Sequence, residues 1–419
     1  MRGNRLWARV TGVGNRGVIT GVAHEIVDGV EVIVVSTRLH SRRRSRCGEC
    51  GAVAGLYDRG DGRRRWRALD AGTTRVFIEA AAPRVNCKVH GVTVAAVPWA
   101  RHGARHTREF DDQAAWLVTH TSKTAVMELM RVSWRTVGAI AARVVADSRA
   151  ARDPFDGLIR IGIDEISYRR GHKYLMVVVD HDTGRLVWAA QGHDRVTLQA
   201  FFDLLGPERA NRIKLVSADA AEWIGACALT NCENAELCLD PFHIVRWATN
   251  ALDVVRRDIW NTLRKIGLKG QAQHLKGCRY SLWKNAGTLT ERQATKLAWI
   301  AKHNQRLYRA YLLKEHLRLV FAHRGETAIA MLDDWLAWAR RSQIPAFVKL
   351  YHRIKHHRQG IIASVVHGLS NGLTESVNTK IRLLTRIAYG FNNTDNLIAL
   401  CLLDRGGHCP DLPGRPAAA

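Results

Sequence analysis

Three acids stand out by position. Asp164 ends the apolar run "LIRIGIDEI" (158–166) and Asp219 ends "RIKLVSAD" (212–219). Glu375 is the single carboxylate in the basic segment "GLSNGLTESVNTKIRLLTRIAYGF" (368–391). Carboxylates gathered in one place repel one another unless cations bind them. Mg2+ (or Mn2+) prefers oxygen ligands and keeps waters that substrate phosphates can replace. Two such ions about 3.5–4 Å apart can activate a water or a 3′-hydroxyl and stabilise the leaving oxygen of a phosphodiester. Each acid also has an ordinary explanation. A Glu in the first turn of a helix complements the helix dipole, and an Asp at a strand end commonly forms a turn, which is how Asp180 and Asp182 read. Glu165 adjoins Asp164 but points to the other side of a strand.

A second set of residues has metal-ligand spacing. Cys47-x2-Cys50 and Cys87-x2-His90 are two ligand pairs of the kind that holds tetrahedral Zn2+ in a zinc ribbon. Gly48, Gly51 and Gly91 beside them let the backbone turn around an ion. His90 is the weakest member, because ribbons more often supply a fourth Cys. From Arg42 to Arg67 there are nine Arg against Glu49, Asp58 and Asp61, with few apolar runs, so a core there needs a staple. The run Arg63-Arg64-Arg65 reads as part of a flexible segment that holds phosphates.

The whole chain is basic: 63 Lys plus Arg against 38 Asp plus Glu give +25, with pI ≈ 10.3. Such an excess points to a polyanion, nucleic acid or an anionic membrane surface. No apolar run approaches the roughly 18–20 residues of a spanning helix, and the N-terminus shows no secretory signal. The expectation is a cytoplasmic protein on nucleic acid with no membrane association. Nine cysteines without a signal read as reduced thiols, most of them, such as Cys227 and Cys238, small buried residues.

The elements that must position these residues follow in order. "HEIVDGVEVIVVSTR" (24–38) reads as a strand pair turning at Asp28-Gly29. Residues 106–148 read as helices. Within them "SKTAVMELM" and "WRTVGAIAARVV" form a helix-turn-helix capped by Ser122 and Ser133, with Val126, Leu129 and Met130 facing Val137, Ile140 and Ala141. Trp134, Arg135 and Thr136 then stand at the start of the second helix, where a DNA groove is read. From 158 to 252 the order is β-β-β-α-β-α-β-α, that of the RNase H-like fold, in which the first and fourth strands are neighbours and bring Asp164 to Asp219. Residues 253–360 read as helical, their Trp and Tyr side chains as packing core. In the segment 368–391, Glu375, Asn378 and Arg382 fall on one helical face and Val377, Ile381 and Leu384 on another. The fold class is multidomain α/β: an RNase H-like core split by an all-α insertion and preceded by a zinc ribbon and a helix-turn-helix.

The stretches "IGIDEISYRRGHKYLMVVVDHDTGRLVW", "CLDPFHIVRWA" and "HGLSNGLTESVNTKIRLLTRIAYGFNN", with "CGEC…CKVHG" before the helix-turn-helix, resemble bacterial insertion-sequence transposases of the ISL-three family over roughly residues 40–409. The resemblance implies a DDE transposase that binds the terminal inverted repeats of its element, cuts at the 3′ ends and joins them to target DNA, acting as a dimer or higher oligomer in the nucleoid. It carries the catalytic acids onto Asp164, Asp219 and Glu375. Asp240-Pro241-Phe242-His243 resembles an Asp-x-x-His motif of related families. That makes Asp240 the alternative second acid and His243 a candidate near the scissile phosphate. Lys380 and Arg382 join Arg63, Arg64, Arg65, Trp134, Arg135 and Thr136 as expected DNA contacts. The expected domains are 1–100 (strands and ribbon), 101–152 (helix-turn-helix), 153–252 and 361–409 (the two parts of the core), 253–360 (helical insertion) and a disordered 410–419. A transposase-derived DNA-binding regulator without catalysis is the competing reading.

Overall fold

The computed structural model describes residues 2–14, 17–40 and 45–415. Arg42, Arg43 and Arg44 of the arginine cluster, and the last four residues of the expected disordered tail, lie outside the described residues. Residues 410–415 form no helix or strand. The chain divides into two compact units, Met1–Pro154 with Leu383–Ala419, and Phe155–Arg382. No described helix is long and apolar enough to cross a membrane.

In the first unit a helix absent from the sequence reading, α1 (Arg2–Val10), precedes the expected hairpin of β1 (Gly17–Val27) and β2 (Val30–Leu39). Asp28 (φ 50°) and Gly29 (φ 74°) are both left-handed, as a two-residue type I′ turn requires. The next strands are β3 (Gly55–Asp58), β4 (Arg63–Arg67), β5 (Arg75–Ala81), β6 (Arg84–Cys87) and β7 (Gly91–Val94). They divide between two sheets, ordered β1-β2-β5-β4 and β3-β6-β7. The larger sheet packs Trp66 and Ile78 against Trp99, with the two indoles edge to face at 5.7 Å. The smaller has a core of only Cys47, Ala54, Val85, Cys87 and Ala95. Helices α2 (Arg108–His120), α3 (Lys123–Met130) and α4 (Trp134–Ala151) follow.

The second unit is built on a five-stranded sheet ordered β10-β9-β8-β11-β12. Its strands are β8 (Arg160–Arg169), β9 (Lys173–Asp180), β10 (Leu186–Gln191), β11 (Leu215–Ala218) and β12 (Glu236–Leu239). The first three form an antiparallel meander, while β8, β11 and β12 run parallel. Helices α5 (Arg195–Leu205) and α7 (Glu222–Asn231), with the short α6 (Pro207–Ala210) between β10 and β11, supply the connections. Ile161 and Ile163 of β8 pack with Val216 and Ala218 against Leu198, Phe201 and Ile224 of α5 and α7.

After β12, α8 (Pro241–Lys265) begins a helical region. It continues through α9 (Lys269–Lys276), α10 (Arg279–Trp283), α11 (Glu291–His303), α12 (Gln305–Val320), α13 (Gly325–Arg341), α14 (Pro345–His356) and α15 (Arg358–His367). Trp335 is fully buried there, and Trp260, Trp283, Trp299, Trp338 and Tyr308 pack around it and its neighbours, so the aromatic series is core. Helix α16 (Gly372–Ile387) carries Glu375, and α17 (Thr394–Arg405) packs in the first unit against α4 and α2.

Candidate active site and nucleic-acid interface

The acids are placed by strand register. Ser217 of β11 pairs with Gly162 of β8 and with Cys238 of β12. Two residues on stand Asp164, still inside β8, and Asp219 and Asp240, just past the ends of β11 and β12; the pleat directs Asp164 to the face of Gly162, and the charges of Asp219 and Asp240 both act on it. That face is covered by the end of α15 and the chain leading into α16, where Cys238 and Leu215 meet Ala363 and Leu369.

Two sequence expectations change here. Asp164 does not end its strand: β8 runs on to Arg169, and Asp164 pairs with Val177 inside the ladder. Asp240 stands at the N-cap position of α8 but makes no capping hydrogen bond. Its Oδ2 instead lies 2.9 Å from His243 Nδ1, and its Oδ1 accepts from the Asn371 backbone N–H at 3.2 Å. The ordinary capping explanation for Asp240 therefore fails. Glu165 alternates with Asp164 along β8, yet among charged groups Asp219 acts on it most strongly, ahead of Asp164 and Asp194.

Electrostatics link these acids. Burial pushes the Asp164 carboxyl up to about 6, and the like charges of Asp219 and Asp240 add to it, against the pull of the Glu165 N–H and His243. Burial likewise pushes Glu165 up to about 7, reinforced by Asp219 and Asp164. The hydrogen bond to Asp240 raises the His243 imidazole, with Asp219 and Asp164 favouring its charged form. Hard oxygen donors crowded at such potential suit a divalent cation. Among the described residues, sets of three or more possible ligands lie within 4.8 Å of one another in only two places. One is Cys47, Cys50, Cys87 and His90; the other is the surface trio of Glu222, His356 and His357. Asp164, Asp219 and Glu375 are in neither set.

Glu375 lies exposed in the first turn of α16. Val377, Ile381 and Leu384 are buried as expected. Asn378 departs from expectation, being 2% exposed and turned inward with Asn371 and Thr374 rather than out with Glu375. Its Nδ2 donates to Asp164 Oδ2 at 2.8 Å, so Glu375 stands one turn from a residue touching the first acid. Arg382 is exposed and Lys380 half-buried. Sequence reasoning assigned no role to Gly162, Ser217 or His181; a Gly followed two residues later by an acid inside an apolar strand was the available signal.

The ribbon ligands converge. Cys47 Sγ lies 3.7 Å from His90 Nδ1, Cys50 Sγ 3.8 Å from Cys87 Sγ, and Cys87 Sγ 3.8 Å from His90 Nδ1. A tetrahedron with metal–sulfur bonds of roughly 2.3 Å has edges of about 3.8 Å, so the four donors fit Zn2+. Gly51 (φ 69°) and Gly91 (φ 65°) make the turns. At Gly48 a Cβ would meet Val94 O at 2.5 Å and His102 Nδ1 at 2.4 Å, so only Gly fits there. Backbone N–H groups of His90 and Val89, then the His90 ring, pull the Cys87 thiol down to about 6, toward the thiolate a metal needs.

In the helix-turn-helix, Ser122 Oγ accepts from Ala125 N and Ser133 Oγ from Thr136 N, both at 3.2 Å. Arg131 (φ 52°) makes the left-handed turn between the helices. Val126, Met130, Val137, Ile140 and Ala141 are buried, but Leu129 is 63% exposed and is not part of that core. Trp134 and Arg135 are exposed, and Lys123 Nζ sits 4.5 Å from the Trp134 ring centroid.

The Arg63-Arg64-Arg65 run is not a flexible segment: it is strand β4, paired with β5. Arg63 and Arg65 both bind Glu79, at 2.7 and 2.8 Å, and Arg65 also binds Glu25 at 2.8 Å. Arg64 contacts the exposed Asp61 at 3.2 Å.

Comparison with known proteins agrees with these elements in their order. A family model described as a zinc-finger of transposase IS204/IS1001/IS1096/IS1165 matches residues 43–90. A helix-turn-helix domain of transposase family ISL3 matches 95–145, and the DDE transposase model of that family, described as Transposase, matches 161–401. The chain is 56% identical to the transposase for insertion sequence element IS1557 of Mycobacterium tuberculosis, over 99% of this chain and 98% of the relative. It is 29% identical to the transposase for insertion sequence element IS1001 of Bordetella parapertussis, over 79% of this chain and 82% of that one. A zinc ribbon, a helix-turn-helix and an acid-bearing α/β unit in this order, matched over nearly the whole chain, place the protein in the ISL3 family of insertion-sequence DDE transposases.

Proposed function

We propose that this transposase binds the terminal inverted repeats of its element, cleaves at the 3′ ends and transfers them to target DNA, with Asp164, Asp219 and Glu375 as the metal-binding acids. The observation that carries the reading is Asp164 inside β8 with Asp219 and Asp240 just past the ends of the parallel β11 and β12, and the helix that bears Glu375 tied to Asp164 through Asn378. When bound there, Mg2+ or Mn2+ supplies activation of the attacking oxygen and neutralisation of the leaving one. The protein's own part is orientation. Asp164 is fixed through both oxygens, Oδ1 by the Glu165 N–H at 2.8 Å and Oδ2 by Asn378. Asp240 is held in the same manner, by His243 and the Asn371 N–H, and is the alternative second acid, with His243 the candidate beside the phosphate.

The strand order 3-2-1-4-5 with helices after the meander supports an RNase H-like core, 153–252 with 361–382, split by a helical insertion, 253–360; of the expected 361–409, residues from Leu383 on belong instead with the first unit. The ribbon, within 1–100, and the helix-turn-helix, 101–152, hold the DNA ends. Trp134, Arg135 and Thr136 face the groove, while Arg63, Arg64, Arg65, Lys380 and Arg382 face phosphates. The working form is a dimer or higher oligomer on nucleoid DNA.

The test compares Asp219→Asn with Asp240→Asn in metal-dependent cleavage of an inverted-repeat substrate, with both variants checked for folding and end binding. Asp219→Asn is expected to abolish cleavage and leave binding intact. Normal cleavage by Asp219→Asn, with only Asp240→Asn dead, reverses the roles.

A further inference from the structure

A helix laid on a sheet usually buries an apolar stripe. Besides Val377, Ile381 and Leu384, helix α16 and the residue before it bury Asn371, Thr374 and Asn378, at i, i+3 and i+7, each no more than 2% exposed. The sheet beneath is made to receive them. Gly162 offers only hydrogen: a Cβ there would stand 2.4 Å from Thr374 Oγ1, 2.7 Å from His181 Nε2 and 3.1 Å from Ser217 Oγ. Ser217 Oγ donates to Asn371 Oδ1 and lies 2.7 Å from His181 Nε2, while Asn371 Nδ2 donates to Ile163 O at 3.4 Å. Asn371 N donates to Asp240.

Asn378 differs from Asn371. A carboxylate only accepts, so Asn378 must turn its Nδ2 to Asp164. That leaves Asn378 Oδ1 buried without a partner. A group kept so acts against stability, and its use must be sought in the carboxylate it holds. Asp164 Oδ1 is already taken by the Glu165 N–H, and the Asn378 bond fixes the second oxygen and with it the plane of the carboxylate.

We propose that Asn378 is a positioning residue of the transposase active site. It sets the orientation of Asp164 from the helix that carries Glu375, so that seating of α16 and aim of the first acid are one event. Asn371, Thr374, Ser217 and Gly162 are the seat that makes this register unique. The inference rests on the reading of Asp164 as a metal-binding acid.

The test uses the full-length protein with Asn378→Leu, Asn378→Gln and, as control, Asp164→Asn. Three quantities are measured: thermal unfolding without added divalent ion, Mn2+ binding followed by electron paramagnetic resonance, and Mg2+-dependent cleavage of inverted-repeat DNA. Asn378→Leu is expected to unfold at or above the parent temperature and to bind the repeats equally. Its Mn2+ dissociation constant and half-saturating Mg2+ should rise tenfold or more, with Asn378→Gln recovering part of the difference. Unchanged Mn2+ affinity and Mg2+ requirement in Asn378→Leu, with Asp164→Asn inactive, overturns the positioning role alone. A lowered unfolding temperature with cleavage falling only in proportion to folded protein also overturns it. Normal cleavage by Asp164→Asn removes the site reading and the inference with it.

Discussion

Replacing Cys50 by Ser should melt the ribbon while leaving the second unit folded, and the magnitude follows from how little else holds the ribbon. Its core consists of Cys47, Ala54, Val85, Cys87 and Ala95. Val85 is the one branched aliphatic of that cluster, and burying a Val side chain stabilises by about 1.5–3 kcal/mol. Structural Zn2+ in small domains contributes about 10–16 kcal/mol, because the site forms only on folding. The four donors sit where a tetrahedral ion needs them, so removing one ligand or the ion takes away the larger part of the ribbon's stability. Hydrogen exchange by mass spectrometry reads this directly. In Cys50→Ser, or in parent protein with a strong zinc chelator, amides of β3, β6 and β7 should lose protection, and those of β8, β9 and β11 should keep it. Specific binding to inverted-repeat DNA should fall in the same samples. Full protection of β6 and β7 in the chelated protein, with zinc confirmed absent, would refute the reasoning.

Gly162→Ala should destabilise the second unit by about 1–3 kcal/mol, because the new Cβ meets Thr374, His181 and Ser217, and it should lose cleavage while keeping end binding; chemical denaturation and gel shift measure both. Arg135→Ala should relax preference at one base pair of the repeat by about 1–3 kcal/mol, whereas equal loss on specific and random DNA would place Arg135 on phosphate. Glu79→Gln should release Arg63 and Arg65 from their shared partner and steepen the salt dependence of DNA binding; an unchanged slope assigns that strand a structural role. Ser133→Ala removes the cap of α4 and should cost about 1 kcal/mol of stability, read by thermal unfolding, with a larger proportional loss on specific than on random DNA.

Much of this architecture was legible because local chemistry and global packing agree in it. The Asp28-Gly29 hairpin, the Ser122 and Ser133 caps and the meander of the sheet each have a short-range cause that tertiary structure leaves alone. The paired Cys-x2 spacings were legible for the same reason, since two turns of fixed length bring four donors within reach of one ion. Misreadings arose where a residue's partner lies far along the chain. The arginine run looked free because Glu79 and Glu25, which bind it, are 14 and 40 residues from Arg65. Asp240 looked like a helix cap because its partner Asn371 is 131 residues away.

The face of α16 is the sharpest case. Helical spacing set Asn378 on one face with Glu375 and Arg382, apart from Val377, Ile381 and Leu384, yet Asn378 is buried together with Asn371 and Thr374. They are buried because Gly162 and Ser217 open a polar seat on the sheet face that also bears Asp164. Nothing within α16 announces this; the signal is split between a glycine in β8, a serine in β11 and amides some 200 residues later in the chain. Such a seat is a poor way to stabilise a helix and a good way to specify one register of it, since an apolar stripe tolerates a shift along the sheet and a set of directed amides does not. Where a helix must deliver one carboxylate to a fixed point, register is the property that has to be specified, and the buried amides lie within a turn of Glu375.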